Sequence, residues 1–302
     1  MNKGTEKDVE KAIQLFEGAI GKDPSLALAW AGMADSYVWL SDIYRAPAEV
    51  LPKAKAAAEK ALALDDGLAE AHSSLGLVHL LWDWDWSGSE REFRRAIELK
   101  PSFADAHHGY GLLLTGIRRR EESIAQARLA QRLDPFAPMI AFDSGWANFM
   151  ARRFDQAIVE FRKGIDFEPN FGWAWGGVAI SEVQRGRFAE ATAAGTQGTR
   201  VDDSPLLLAI VGGVYAAAGE KEKAHRVIGD LAEISKHRYV CPYEIAVIHV
   251  NLGQIDQAFE ALEKGFRDRS SCMPYLAVDP RFDSLHSDPR YMDLVRRIGL
   301  PS

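Results

Sequence analysis

Apolar residues fall at helical spacing in successive short segments of this chain, and the segments recur. The last is the plainest: Pro289 to Ile298 sets Tyr291, Met292, Leu294, Val295 and Ile298 against Arg290, Asp293, Arg296 and Arg297, an amphipathic helix. Upstream, one ending repeats: Ala96-Ile-Glu-Leu-Lys-Pro101, Ala130-Gln-Arg-Leu-Asp-Pro135 and Gly164-Ile-Asp-Phe-Glu-Pro169. Ala19-Ile-Gly-Lys-Asp-Pro24 matches it, and Ala61-Leu-Ala-Leu-Asp-Asp66 matches with Asp in the Pro position. The three prolines are 34 residues apart (135 − 101, 169 − 135), and Asp203 falls a further 34 on. Proline cannot continue a helix, so each ending predicts a helix stop and a turn.

A period of 34 with this grammar resembles the tetratricopeptide repeat, a helix-turn-helix unit. Its opening signature is present in pieces: Trp30, Met33, Ala34 and Tyr37; His72, Leu75 and Gly76; His107, Tyr110 and Gly111; Ser144 and Gly145; Trp175 and Ala179; Val211, Gly212 and Tyr215. Second helices carry Ala12 and Phe16, Ala54 and Ala58, Phe93, Ala157 and Phe161, Ala191, Ala224 and Ala258. A small residue lets paired helices approach, and bulky neighbours fill the groove between them. The expectation is an all-α, right-handed solenoid of antiparallel helix pairs. It divides into a second helix alone (1–26), seven units (27–68, 69–103, 104–137, 138–171, 172–204, 205–238, 239–272) and a C-terminal cap (273–302) ending in a capping helix. The missing first helix suggests a chain that starts inside a longer array.

Two units depart from the period. In unit one, Asp66 lies 8 residues late (66 − 58), with the excess placed in Ser41 to Glu49. Unit two has one extra residue near Trp82-Asp-Trp-Asp-Trp86, after which Ser87 and Glu90 read as a capping box. In the cap, Asp279-Pro280 and Asp288-Pro289 each put a capping Asp before a Pro.

Composition narrows the function. The 302 residues hold 36 Lys+Arg and 43 Asp+Glu, a net charge of -7, which argues against a nucleic-acid partner. The basic runs Arg118-Arg119-Arg120 and Arg296-Arg297 read as solvated charge near helix ends. Two cysteines, Cys241 and Cys272, are too few for a disulfide framework and fit no zinc spacing. The first eight residues have no apolar core, so a signal peptide is not expected. The uncharged run Ser204 to Gly219 is too short to span a bilayer. A cytoplasmic chain with no membrane contact follows. His72 and His107 occupy the Trp position of their units and read as packing residues. No metal or cofactor is expected, and neither cysteine has an oriented base or an oxyanion loop, so neither does enzymatic chemistry.

The Trp84-Asp-Trp86 turn before Glu90-Arg-Glu-Phe-Arg-Arg-Ala96, with Tyr239-Val-Cys-Pro-Tyr243, Asn251-Leu-Gly-Gln-Ile-Asp-Gln-Ala258 and Val278-Asp-Pro-Arg-Phe-Asp-Ser-Leu285, resembles a narrower group. It is similar to the C-terminal tetratricopeptide region of bacterial multidomain signalling proteins, which carry a class III adenylate cyclase, winged-helix or Ser/Thr kinase domain. None of those domains is present, so the resemblance implies a sensory or regulatory interaction region.

In such arrays the first helices line the concave face. By register, the groove residues are Asp35, Val38 and Trp39; Leu77 and Leu81; His108 and Leu112; Phe142, Trp146, Phe149 and Met150; Trp173, Ile180 and Val183; Tyr243 and Val247. Phe142, Trp146 and Phe149 share one helix face. The partner-binding set is taken as Trp39, Leu77, His108, Leu112, Phe142, Trp146, Phe149, Met150, Trp173, Ile180, Val183 and Tyr243. The partner is expected to be a protein or peptide, or a second copy in a homodimer. No cationic clamp for a free carboxylate is expected, because Ala31, Asp35, Ser73 and Leu77 hold the relevant sites.

Overall fold

A computed structural model describes residues 6–41 and 43–300. The start read for a signal peptide therefore lies mostly outside the described residues, as does Asp42 of the unit-one insertion. No strand forms among the described residues. Helix α1 (Glu6–Lys22) packs on a first pair, α2 (Ala27–Leu40) and α3 (Pro47–Leu64). The next pairs are α4 (Ala69–Val78) with α5 (Trp86–Leu99), α6 (Ala104–Gly116) with α7 (Arg120–Leu133), and α8 (Pro138–Met150) with α9 (Phe154–Phe167). Then come α10 (Gly172–Gln184) with α11 (Phe188–Val201), α12 (Pro205–Ala217) with α13 (Lys221–Ile234), and α14 (Pro242–Leu252) with α15 (Ile255–Asp268). Two 3-10 turns, Met273–Tyr275 and Pro280–Leu285, lead to α16 (Pro289–Ile298). Each helix packs on its pair partner and on the next pair, and first helices also touch first helices of the following unit. That stacking makes an all-α solenoid.

The Trp position has a fixed task. Trp30 and Trp175 donate their indole N–H to the carbonyls of Pro24 and Pro169, each six residues back in the preceding turn. His72 and His107 place Nε2 3.0 and 2.9 Å from the carbonyls of Asp66 and Pro101, also six residues back. Histidine thus reproduces the bond that ties each first helix to its entry turn.

Both irregular units resolve locally. The extra residue of unit two is taken up by a π-helical turn, His79–Asp83, where His79 Nδ1 lies 2.8 Å from Asp83. The residue that caps α5 is Asp85, whose side chain accepts from the Gly88 amide, and not Ser87, which instead donates to Asp85. Glu90, expected to cap, accepts from Tyr110, Arg94 and Arg119. In unit one, part of the excess is helical: α3 has 18 residues where α7 has 14.

The array closes on itself through its tail. Trp86 donates to the Gly299 carbonyl at 2.8 Å, Trp84 packs 5.2 Å from Phe266, and the Arg269 guanidinium covers the Trp84 ring at 3.9 Å. The largest apolar cluster joins Trp84 to α14, α15, α16 and the segment between α15 and α16.

Candidate partner-binding groove

The segment from Ser270 to Leu285, here called the strap, runs back along the first helices. It meets the C-terminal ends of α2, α6 and α8 and the N-terminal end of α14. Ser271 lies 3.2 Å from Ser41 after α2, and Pro274 packs so closely on Gly116 at the end of α6 that a Cβ there would sit 2.9 Å from its carbonyl. Tyr275 meets the Trp146 ring edge-on at 5.9 Å. Met273, Leu276, Phe282 and Leu285 are fully or almost fully buried.

Four expected partner-binding residues are corrected by this finding. Phe149 and Met150 are at most 1% exposed, Ile180 is 6% exposed, and all three share a cluster with Tyr275 and Val278 of the strap. Tyr243 is fully buried, with its ring 5.0 Å from Phe282 and its hydroxyl donating to Asp279. Val247 is buried as well. Phe149, Met150, Ile180 and Tyr243 thus pack against the chain's own tail.

A charged knot pins the strap. Arg281 is buried between Glu244 on α14, which it meets at 2.8 and 3.0 Å, and Asp279, which it meets at 2.7 Å. Burial opposes the guanidinium charge, and the adjoining Asp279 and Glu244 carboxylates outweigh it and hold the proton firmly. Arg281 also stands 5.6 Å from the Trp146 ring centre. Two more arginines grip the strap from the turns between paired helices. Arg118 donates to the Ala277 carbonyl, and Arg152 makes a two-pronged pair with Asp283 at 2.5 and 2.6 Å. Both adopt left-handed backbone (φ 66 and 63), where the corresponding turns of later units use Gly186, Gly219 and Gly253. A side chain in this conformation costs on the order of 1 kcal/mol, and the strap contacts offset it. Arg118 is therefore not merely solvated charge.

The rest of the predicted set lies half-buried: Trp39, Leu77, His108, Leu112, Phe142, Trp146, Trp173 and Val183. Because the strap follows the C-terminal ends of α2, α6 and α8, their N-terminal halves form a separate strip. On α8, on α10 and at the residue that precedes α10, Phe142, Trp173 and Phe171 pack with ring centres 5.9 to 6.2 Å apart. On α2, α6 and α8, carboxylates converge on one imidazole: His108 Nε2 bonds Asp143, and Asp35 and Asp105 act on the same ring. Burial, reinforced by Asp105, pushes the Asp35 carboxyl up to about 7. Burial disfavours the His108 imidazolium, yet Asp143 and its fellow carboxylates hold it above its ordinary value. Among the described residues no group of three or more His, Cys, Asp or Glu is placed to hold a metal ion, and no helix is long and apolar enough to cross a membrane.

No protein-family model and no curated protein matches the chain. Solved structures do. The APC/C hetero-tetramer Cut9-Hcn1 is similar over 96% of this chain and 52% of that one, at 13% identity and a TM-score of 0.65. PilW, a type IV pilus biogenesis factor, is similar over 70% of this chain and 94% of its own, at 18% identity and a TM-score of 0.56. A thermophilic TPR protein of Thermus thermophilus covers 57% of this chain and 92% of its own, at 15% identity and a TM-score of 0.50. The fold is a tetratricopeptide-repeat solenoid. In this solenoid the strap was the part that the repeat register did not expose. Its signals were the apolar run Leu276-Ala-Val278 after the last repeat, and arginines at turn positions that other units give to glycine.

Proposed function

We propose that the chain is a non-catalytic protein-interaction scaffold, the cytoplasmic regulatory part of a bacterial signalling protein, whose partner engages the strip left beside the strap. The observation that carries this reading is the juxtaposition of half-buried aromatics, Phe142 and Trp173, with the acidic group Asp35, Asp105 and Asp143 around His108. Aromatic side chains bury much area at small entropic loss and dominate protein interfaces. The carboxylates favour a partner segment that brings a cation.

Magnitudes decide against the deep groove as the docking surface. Burying Met273, Tyr275, Leu276, Val278, Phe282 and Leu285 contributes on the order of 10 kcal/mol of gross transfer free energy at ~1.5–3 kcal/mol each. Releasing the strap would also strand Arg281 and its carboxylates. A partner that displaced it would have to replace all of this.

Two tryptophans are expected to behave differently. Trp146 stacks on Phe149 at 5.7 Å and against Tyr275, so Trp146→Ala is expected mainly to lower the melting temperature. Trp173 packs on its aromatic neighbours at the lip, so Trp173→Ala should leave the melting temperature nearly unchanged. A photo-crosslinking residue at Trp173, in cells that make the protein, should capture a different protein, and the same residue at exposed Val159 on α9 should not. Capture of only a second copy of the chain would replace this reading with an oligomerisation element, and equal capture at both positions would end it.

A further inference from the structure

Four of the seven turns that link one unit to the next share a design. Asp23, Asp65, Glu168 and Asp202 each accept, through the side chain, the backbone N–H two residues on, at Ser25, Gly67, Asn170 and Ser204. The residue after the Pro or its Asp substitute is small or polar in these and in the turn between α5 and α6: Ser25, Gly67, Ser102, Asn170, Ser204. The turn between α5 and α6, with Lys100 in the acceptor position, departs in the first respect only; the turn between α7 and α8 departs in both. Its residue is Phe136, which is 74% exposed, and no hydrogen bond joins the Asp134 carboxylate to the Phe136 amide among the described residues. Phe136 stands edge-on to Phe167 at 5.8 Å, and Leu133 and Phe167 are themselves 36% and 42% exposed.

The fold gains nothing from this arrangement. A phenyl ring three-quarters in water contributes little burial, and it replaces a residue type that completes the turn. Its sequence neighbours carry more acid than base: Asp134, Asp166 and Glu168 against Arg132 and Arg162, with Lys163 paired to Glu160, on a chain of net charge -7. Asp134 and Asp166 make no ion pair among the described residues. An apolar centre with an unneutralised carboxylate rim complements a segment with an apolar face and a cationic border.

We propose that Leu133, Phe136 and Phe167 form a docking site for a basic amphipathic segment of a partner protein. The proposal stands whether or not the groove strip binds a partner.

The test uses the full chain and a fluorescein-labelled synthetic amphipathic helix of Leu and Lys, followed by anisotropy. Phe136→Ser installs the residue found in three sister turns. It is expected to weaken binding about tenfold or more and to leave the melting temperature equal or higher. Asp134→Asn should weaken binding at low salt and lose its effect at high salt. Trp173→Ala should bind the helix as the wild type does, which separates this site from the groove strip. Equal affinity of Phe136→Ser and wild type would overturn the proposal. So would equal binding of a helix with Glu in place of Lys. A wild-type dimer that Phe136→Ser converts to monomer would also overturn it, since a second copy would then be the occupant.

Discussion

At Gly145 and Gly177 a Cβ would come within 2.5 Å of the Phe161 ring, which is itself fully buried. One aromatic on a second helix thus sits against a glycine of its own first helix and a glycine of the next. Phe93 does the same between Gly76 and Gly109, where a Cβ would meet it at no more than 3.0 Å. Gly111, singled out with Gly76 by the repeat signature, has ordinary room: its nearest neighbour would be the Ser123 carbonyl at 3.5 Å. Gly145→Ala should therefore destabilise by ~1–3 kcal/mol through overpacking, with Gly111→Ala near neutral; chemical denaturation checks the pair, and the reverse order would refute this packing. Asp35 gives the residue-scale pH prediction. Its carboxyl titrates at about 7 in the fold against 3.8 for an ordinary aspartate, so the folded state binds the extra proton. Stability then falls as pH rises from about 4 to about 7. His72 and His108, raised above their ordinary value, act in the same direction, their contribution being lost as pH climbs through the folded value. Asp35→Asn should flatten this slope and raise stability at pH 8 by at least ~1 kcal/mol, measured by denaturation across pH; an unchanged slope would mean that Asp35 is solvated.

Among elements, the helix pairs were legible and the strap was not, for a physical reason. A helix that packs on one side leaves a period near 3.6 in its apolar residues, and seven similar pairs repeat that signal. Residues 273–282 of the strap are buried without a break, so Met273, Tyr275, Leu276 and Val278 follow no period. Its proline-led 3-10 turns resemble an ordinary linker into α16. Two surfaces nonetheless lacked a partner in the sequence: the large groove residues Phe142, Trp146 and Phe149, and the apolar run after the last repeat. The side chain that joins them, Arg281, carries the element-scale prediction. Arg281→Ala leaves Glu244 and Asp279 buried without their cation and should cost about 3–5 kcal/mol. Arg281→Met, with the carboxylates changed to Gln and Asn in the same chain, should recover part of that loss. Thermal unfolding of the two variants decides it, and a nearly neutral Arg281→Ala would place the knot in water.

At the scale of the whole molecule, the strap turns an open solenoid into a closed one. Contacts as distant as Trp86 to Gly299 and Arg118 to Ala277 tie early units to the tail. A repeat array without such ties unfolds in parts, because each unit meets only its neighbours; this one is expected to unfold cooperatively from unit two onward. Outside the strap contacts stand the half-buried Trp173 and the exposed Phe136. The most direct test of the filled groove is hydrogen exchange of the intact chain, followed by mass spectrometry. The amides of Leu276, Val278, Asp279 and Phe282 donate within the strap. Peptides covering 273–285 should be as protected as those of α14. Exchange of that segment as fast as an exposed terminus, with α14 still protected, would contradict the account and reopen the groove.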